Sequence, residues 1–432
     1  MPNLLKKIKL LKENLVSKGF FHIIISSSLV KIVSFISAMF LPRFLSKSDY
    51  GMLTYIDNIR NYVLLFNAIG ISNATIRYCA TDESDEKKKG YFIASLIIGI
   101  LFDLFLILVS ILGFIVIPFP FSGAKTLLIA TSFLPLLAFL FEDIQFLLRA
   151  CLENQKYSLI SFIYSTVMVV LQISMACLWK LNGIVMARYI SLVFCVFIGW
   201  ILIKDIRLIK SKAIMPHKKQ VIKMIKFGIV MLVGNSLSLI MQLNETFIIG
   251  QVLKDETALA DYKVASYILT ISLFILQSVV VFIFPYFVKH ADDKEWIWNK
   301  FKKVFFLNAA VMIPIHIVLF ICSRLFIVII FGENYISAVP LMRMLLIASL
   351  AQALFRALSG NILAGIGEEK FNLKINIIFT ILHVIIDFTA IKFFGLNGAA
   401  IALTVVYFIS GIVMIYHLRK VCKKQIPKEE GE

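Results

Sequence analysis

Long apolar runs alternate with short polar connections along the whole chain. Twelve of these runs hold about 20 residues each, and an α-helix of that length crosses the hydrocarbon core of a bilayer. The pattern therefore predicts an all-α polytopic membrane protein with about 12 transmembrane helices. The predicted spans are residues 20–41, 54–78, 91–117, 126–148, 157–179, 183–204, 226–250, 262–288, 304–330, 337–362, 371–394 and 397–418.

One polar connection is longer than the others and divides the chain into halves of similar length. It covers residues 204–225, between the sixth and seventh spans, and is rich in Lys. We interpret it as a basic cytoplasmic linker. The predicted organisation is an N-lobe of helices 1–6 with a cytoplasmic amphipathic N-terminus over residues 1–203, a C-lobe of helices 7–12 over residues 226–418, and a cytoplasmic tail over residues 419–432.

Composition excludes the soluble classes of protein. Hydrophobic residues fill 60% of the 432 positions, charged residues fill 16%, and the mean hydropathy is +0.89. An ordinary soluble domain carries about a quarter of charged residues. None of the six cysteines forms a C-x-x-C pair, so the sequence predicts neither a disulfide framework nor a metal site. Because no hydrophilic insertion could form a soluble catalytic domain, we do not expect an enzyme.

The basic residues indicate the orientation of the chain. The formal net charge is +18. With residues near span ends assigned to the nearer side, 32 of the 44 Lys and Arg fall on one side of the predicted spans and 9 on the other, and Lys31, Arg188 and Arg343 remain within spans. Cytoplasmic connections carry the excess of Lys and Arg in membrane proteins. Both termini are therefore predicted to be cytoplasmic. The same asymmetry explains the net charge without nucleic-acid binding.

The two halves of the chain resemble each other in their connections. Leu-Asn-Gly precedes the sixth span at residues 181–183 and the twelfth span at residues 396–398. The stretch after the first span, 41–56, likewise resembles 248–268 after the seventh. Six spans per half predict two parallel repeats about an axis along the membrane normal, an arrangement that can enclose a central cavity. The alternative is that apolar sequences look alike by chance.

Four stretches carry a resemblance to a known family. They are RFLSKSDYG after the first span, IGISNATIRY in the second, FGENY before the tenth, and the C-terminal run from ILAGIGEEKF to ALTVVY. These residues resemble the polysaccharide flippases of the MATE-like multidrug/oligosaccharidyl-lipid/polysaccharide exporter superfamily, over nearly the whole chain. The family often has an Asp in the seventh span, where this chain offers Glu245.

The resemblance implies a fold and a function. The fold is two six-helix bundles in a V shape around a central cavity. The function is movement of an undecaprenyl-pyrophosphate-linked oligosaccharide from the inner to the outer leaflet by alternating access, in the bacterial cytoplasmic (inner) membrane. Related lipid II flippases carry more spans, so twelve favours the branch that serves lipopolysaccharide O-antigen or capsule. The lipid bilayer, a polysaccharide polymerase and chain-length proteins are the implied partners.

Cations at membrane depth are the candidate substrate-binding residues, because Lys and Arg can neutralise a pyrophosphate and Arg can bind its oxygens in a bidentate way. Amide side chains supply polar walls for the sugars. The candidates for this cavity are Lys31, Arg60, Arg77, Arg343, Arg356 and Asn235.

Several of these cations have alternative interpretations. Lys31, in the middle of the first span, needs either an anionic ligand or a carboxylate, for which Asp103 in the third span is the candidate. Asp57 and Arg60 lie three residues apart on one helical face and can pair with each other. Arg77 lies near the cytoplasmic end of the second span, where a boundary Arg is ordinary.

The two arginines of the tenth span are predicted to differ in direction. Arg343 and Arg356 are separated by about 220° around a regular helix, so they do not share a face. We expect Arg343 to line the cavity, because it lies deeper than its span's outer end requires. Arg188, near the outer end of the sixth span, is expected to be an interfacial anchor.

Acidic and histidine side chains are the candidates for ion coupling or for structural ion pairs. His383 and Asp387 share a face of the eleventh span at i, i+4 spacing. Asp57, Asp103, Glu142 and Glu245 complete the set of candidate coupling acids. A proton relay, a sodium site or a hydrogen-bonded polar pair between helices would each suit these residues. Beyond H⁺ or Na⁺, no cofactor is predicted.

Two other functions remain open on the sequence. An ion-coupled multidrug antiporter could use the same fold, although drug cations prefer an acidic cavity and the mid-membrane charges here are mainly basic. A membrane-embedded polysaccharide polymerase or glycosyltransferase would need a larger outside loop or a cytoplasmic domain than this chain has.

Overall fold

The computed structural model describes residues 20–81 and 83–423. Within these ranges the chain is almost entirely helical and contains no β-strand. The predicted amphipathic N-terminus before residue 20 and the end of the tail after residue 423 lie outside the described residues. The all-α polytopic fold class is confirmed.

The helices are numbered here in chain order. They are α1 Phe20–Phe44, α2 Lys47–Leu64, α3 Ser72–Cys79, α4 Asp85–Val116, α5 Ala124–Ala130, α6 Leu134–Ala150, α7 Asn154–Ile203, α8 Arg207–Lys210, α9 Lys218–Leu253, α10 Glu256–Lys289, α11 Lys294–Ile321, α12 Ser323–Phe331, α13 Val339–Ala351, α14 Leu358–Gly365, α15 Glu369–Phe394 and α16 Leu396–Lys423. Short 3-10 turns cover Asn67–Gly70 and Glu333–Ala338, and a π-helical segment covers Gln352–Ala357.

The predicted spans correspond to these helices. Eight stretches of the described residues are long and apolar enough to cross a membrane. One of them is α7, a 50-residue element that reverses at Trp179 and Lys180 and so holds the fifth and sixth predicted spans. Helices α9 and α10, with 36 and 34 residues, hold the seventh and eighth spans and are long enough to cross.

The second predicted span is not one continuous helix, contrary to expectation. It consists of α2 and α3 with a 3-10 turn between them, in which Ala68 and Ile69 have φ angles of 46° and 51°. The buried carboxylate of Asp103 accepts a hydrogen bond of 2.6 Å from the backbone N–H of Ala68. The carboxylate of Asp103 thus satisfies a backbone N–H that the break in the helix leaves without an intrahelical partner. Breaks of this kind are tolerated at membrane depth only where another group bonds to the released backbone.

The tenth predicted span is also interrupted. Helix α13 continues into the π-helical segment Gln352–Ala357 and then into α14. The buried amide of Asn308 on α11 donates to the carbonyl oxygen of Ala353 at 3.1 Å. The wider π turn changes the helical phase, so the rotation assumed between Arg343 and Arg356 at 100° per residue does not apply across it.

The chain folds into two compact units. Unit 1 holds the residues up to Asp49 together with Ile56–Leu239, and unit 2 holds Tyr50–Tyr55 with the residues from Ile240 onward. The division falls inside α9, beyond residue 226 where the C-lobe was predicted to begin. The start of α2 therefore belongs with the second half of the chain, a feature that no periodicity in the sequence indicates.

Each unit has its own buried apolar core. In unit 1 the core includes Phe92, Phe139 and Leu147, from α4 and α6. In unit 2 one core cluster includes Ile297 on α11 and Leu418 on α16. The packing of these apolar side chains fixes the helices of each unit against one another, and so fixes the polar side chains that the helices carry.

The internal repeat is visible in the backbone. Lys180 (φ 48°, ψ −128°) and Gly395 (φ 58°, ψ −141°) adopt the same conformation at the reversals before the two Leu-Asn-Gly sequences. Three residues on, a Cβ on Gly183 would collide with the carbonyl oxygen of Met175, and one on Gly398 would collide with that of Ala390. Both glycines therefore permit the same close helix approach, which chance similarity of apolar sequences does not explain.

Replacing Lys180 with Gly is expected to stabilise the protein. Lys180 is exposed, and its positive φ with extended ψ is a conformation that Gly395 adopts without a Cβ in the second repeat. Relief of this strain should raise the free energy of unfolding by about 1 kcal/mol. Chemical unfolding in detergent micelles measures it, with Gly395→Ala expected to show the opposite sign. A destabilised Lys180→Gly protein would contradict this account of the turn.

Candidate functional site

A group of two arginines and one aspartate is the main charged feature of unit 1. Both terminal nitrogens of Arg188 on α7 bond to Asp57 on α2, at 2.6 and 2.8 Å. Arg60, one turn along α2, places a terminal nitrogen 3.4 Å from the same carboxylate. The Nε of Arg60 is buried without a hydrogen-bond partner among the described residues.

This geometry confirms the predicted Asp57–Arg60 pair and corrects the expectation for Arg188. Arg188 is only 6% exposed and forms a bidentate ion pair inside the unit, so it is not an interfacial anchor. The partnership could not be found from sequence, because 131 positions separate the two residues. Two guanidinium groups beside one carboxylate give the group a net positive charge.

Two buried acids of unit 1 accept hydrogen bonds near the broken second span. Asp143 accepts from Thr75 at 2.6 Å and from Ser95 at 3.1 Å. Asp103, the expected partner of Lys31, accepts from the backbone of Ala68. These hydrogen bonds stabilise the backbone on both sides of α3, so a structural role accounts for the two acids without ion coupling.

The other two candidate cations of unit 1, Lys31 and Arg77, are exposed. Lys31 lies on the surface of α1. Arg77 lies at the end of α3, with its guanidinium 4.4 Å from the centre of the Phe227 ring. A cation held against an aromatic face near a helix end is consistent with the boundary interpretation of Arg77.

Unit 2 encloses a buried cluster of two carboxylates and a histidine. The Nε2 of His383 lies 3.4 Å from Glu245 Oε1 and 3.6 Å from Asp387 Oδ2. Asn244 donates to Asp387 at 3.2 Å, and Tyr262 donates to Glu245. His383 and Asp387 are fully buried and Glu245 is 5% exposed. Helices α9, α10 and α15 thus assemble one polar site.

The cluster has the composition of a cation site. One ligand atom from each of Glu245, His383 and Asp387 lies within 4.8 Å of the others. The Oδ1 of Asp387 and both ring nitrogens of His383 have no hydrogen-bond partner among the residues described. Buried carboxylates at membrane depth need a proton, a cation or a basic partner. The sequence showed the i, i+4 pair on α15 but not that Glu245 joins it.

The two arginines of the tenth span contact different helices. Arg343 donates from Nε to Ser323 on α12 at 2.8 Å. Arg356 donates to Ser410 on α16 at 2.6 Å and to Asn376 on α15 at 2.9 Å. Arg356 lines a polar pocket of unit 2. The side chain of Asn235 lies outside the described part of the structure.

His316, the other histidine at membrane depth, has a structural role. Its Nδ1 bonds to the carbonyl oxygen of Met312 at 2.8 Å, and its Nε2 lies 2.8 Å from Ser349 and 3.2 Å from Ser272. Both ring nitrogens are satisfied, so His316 ties three helices together rather than offering a binding site.

Comparison with known proteins places the chain in a family. The family model described as polysaccharide biosynthesis protein matches residues 40–340. An uncharacterized membrane protein of Methanocaldococcus jannaschii is 24% identical over 96% of this chain and 86% of that protein.

Two solved structures share the fold. The inward-facing conformation of a multidrug resistance MATE family transporter of the MOP superfamily has a TM-score of 0.72 at 14% identity, over 92% of this chain and 96% of that one. The lipid II flippase MurJ in an inward closed conformation has a TM-score of 0.72 at 15% identity, over 92% and 87% of the two chains. The chain is a multi-pass membrane protein with a MATE-like fold, and it belongs to the polysaccharide biosynthesis protein family.

Proposed function

We propose that this protein moves a polyprenyl-pyrophosphate-linked oligosaccharide from the inner to the outer leaflet of the cytoplasmic membrane by alternating access. An undecaprenyl carrier and a repeat unit for O-antigen or capsule are the specific cargo we infer, with a polysaccharide polymerase and chain-length proteins acting on the product. The activity is transport, in which no bond is made or broken. Family membership and the likeness to a lipid II flippase support this class of cargo.

The observation that carries the proposal is the charge of the Asp57 group. A structural ion pair needs one guanidinium for one carboxylate, and Arg188 already supplies it in bidentate geometry. Arg60 is a second cation, with a buried Nε that has no hydrogen-bond partner among the described residues. Arg60 is therefore a cation that the ion pair with Asp57 does not require. Such a cation suits a phosphate-bearing cargo, because a guanidinium group binds phosphate oxygens directly.

Flipping a charged head group repeatedly in one direction needs a source of free energy. The Glu245–His383–Asp387 cluster is the candidate site for it, since two buried carboxylates can exchange H⁺ or Na⁺. Occupation of the cluster would then favour one conformation of unit 2 over another.

Reconstitution in proteoliposomes tests the proposal. Vesicles of the purified full chain with a fluorescent polyprenyl-pyrophosphate oligosaccharide should transfer the labelled sugar to the opposite leaflet. A membrane-impermeant glycosidase or lectin reports which leaflet holds the sugar. Vesicles without protein are the control. Transfer no faster than in these empty vesicles would overturn the proposal.

A multidrug antiporter is the second candidate, and the buried acids of unit 2 are the feature that favours it. A cationic dye can be drawn to two carboxylates, and the multidrug transporter shares the fold. Ion-driven uptake of such a dye by the same vesicles, without movement of the lipid-linked sugar, would select this function.

A further inference from the structure

A polar pocket lies inside unit 2 beside the π-helical segment. Its volume is about 230 Å³, which suits a single sugar ring and not a whole repeat unit. The polar side chains that line it are four amides and one guanidinium, those of Gln352, Asn361, Asn372, Asn376 and Arg356. Together these side chains offer a ligand both hydrogen-bond donors and acceptors.

The guanidinium of Arg356 is held in a fixed position at this pocket. Its two terminal nitrogens donate to Ser410 at 2.6 Å and to Asn376 at 2.9 Å. A Cβ on Gly411 would collide with the Cβ of Phe355 and would lie 2.8 Å from the backbone nitrogen of Arg356. Gly411 therefore lets α16 approach the π-helical segment closely enough for Ser410 to reach the arginine.

The amides are also fixed, and their orientation leaves an acceptor without a partner. Asn372 donates from Nδ2 to the carbonyl oxygen of Gly360 at 2.6 Å, and Asn361 donates to that of Ala357 at 2.7 Å. The Oδ1 of Asn372 is buried with no hydrogen-bond partner among the described residues. An acceptor in this condition is unfavourable and marks an unsatisfied polar group beside the pocket.

We propose that this pocket binds one sugar ring of the cargo and helps to select which sugar is carried. The inference rests on the proposed function, because it assigns the sugar part of the same lipid-linked cargo. A sugar hydroxyl is both donor and acceptor, so it can donate to an amide oxygen of the pocket wall and accept from a neighbouring amide or guanidinium N–H. A pyrophosphate offers acceptors alone, so it would use the N–H groups of the wall and leave the amide oxygens of the wall without a bond.

Binding of free sugars to the purified full chain tests the assignment. Saturation-transfer difference NMR would use a neutral hexose, an N-acetylhexosamine and a hexuronic acid, with inorganic pyrophosphate as the phosphate probe. We expect at least one sugar to receive saturation, and its affinity to fall about tenfold in both Asn372→Leu and Gln352→Met. Gln352→Met keeps the side-chain length, so it remains informative if Asn372→Leu does not fold. Asn299→Leu, an exposed amide of α11, is the matched control.

Three results would overturn the inference. They are the absence of saturation transfer to any of the sugars, affinities in both pocket variants equal to those of the native chain, and a loss of pyrophosphate binding instead of sugar binding. The proteoliposome assay distinguishes failure of the pocket assignment from failure of the proposed function. Transfer of the lipid-linked sugar with unchanged sugar preference in the pocket variants would remove only the pocket assignment, whereas no transfer by the native chain would remove the function.

Discussion

Arg188→Ala is expected to lower the free energy of unfolding by about 2 kcal/mol, because it removes two charge-assisted hydrogen bonds from a partly buried carboxylate. Arg188 forms a bidentate ion pair with Asp57 and is 6% exposed, so its removal leaves a carboxylate that has lost its principal partner. Arg60 remains beside Asp57 and limits the loss. Chemical unfolding in detergent, followed by tryptophan fluorescence, measures the change.

Arg60→Met is the informative companion to that variant. It keeps the length of the side chain, leaves the Arg188–Asp57 pair in place, and should change the free energy of unfolding by less than about 1 kcal/mol. Because the proposal assigns Arg60 to cargo binding, transport should fall at least tenfold while the protein stays folded. A large stability loss in Arg60→Met, equal to that in Arg188→Ala, would show that both arginines are structural.

The second large effect is expected at the cluster of unit 2. Glu245→Gln and Asp387→Asn each remove one carboxylate from the three groups that lie within 4.8 Å of one another. Because the remaining groups no longer match the charge of the coupling cation, transport driven by an ion gradient should fall at least tenfold. Exchange of labelled for unlabelled cargo without a gradient should persist. Both rates are measurable in the same proteoliposomes.

Asp292→Asn is the matched control for these two variants. Asp292 is an exposed acid between α10 and α11, outside the cluster, and its replacement should leave both rates unchanged. Equal loss of driven transport and exchange in Asp387→Asn would mean that the cluster supports the fold or the cargo path instead of coupling. Undiminished driven transport in both cluster variants would exclude the cluster as the coupling site.

The apolar pattern predicted most of the fold, because a helix that crosses a membrane is specified by its own 20 or so residues. The interruptions could not be predicted in this way. The break at Ala68 depends on a carboxylate at position 103, and the π turn is supported by an amide at position 308. Each requires a partner from another helix, and no local window of sequence contains both members.

The candidate site follows the same division between local and long-range information. The pairs Asp57–Arg60 and His383–Asp387 were predictable because they lie three or four positions apart on one helix. Neither the bond from Arg188 to Asp57 nor the approach of Glu245 to His383 could be derived, since each joins helices far apart in the chain. We expected Arg343 to line the cavity because of its depth in the span. The pocket beside Arg356 could not be predicted in that way, because side chains of neighbouring helices form its wall.

The measurement that tests the central claim most directly is the distribution of lipid-linked sugar units between the two leaflets of living cells. It compares cells with the intact protein, cells without it, cells with Arg60→Met, and cells with Arg324→Met, an exposed arginine at the start of α12. We predict accumulation at the cytoplasmic face in the second and third strains, and a normal distribution in the first and fourth. A normal distribution in cells without the protein, together with altered sensitivity to cationic drugs, would contradict the flippase function.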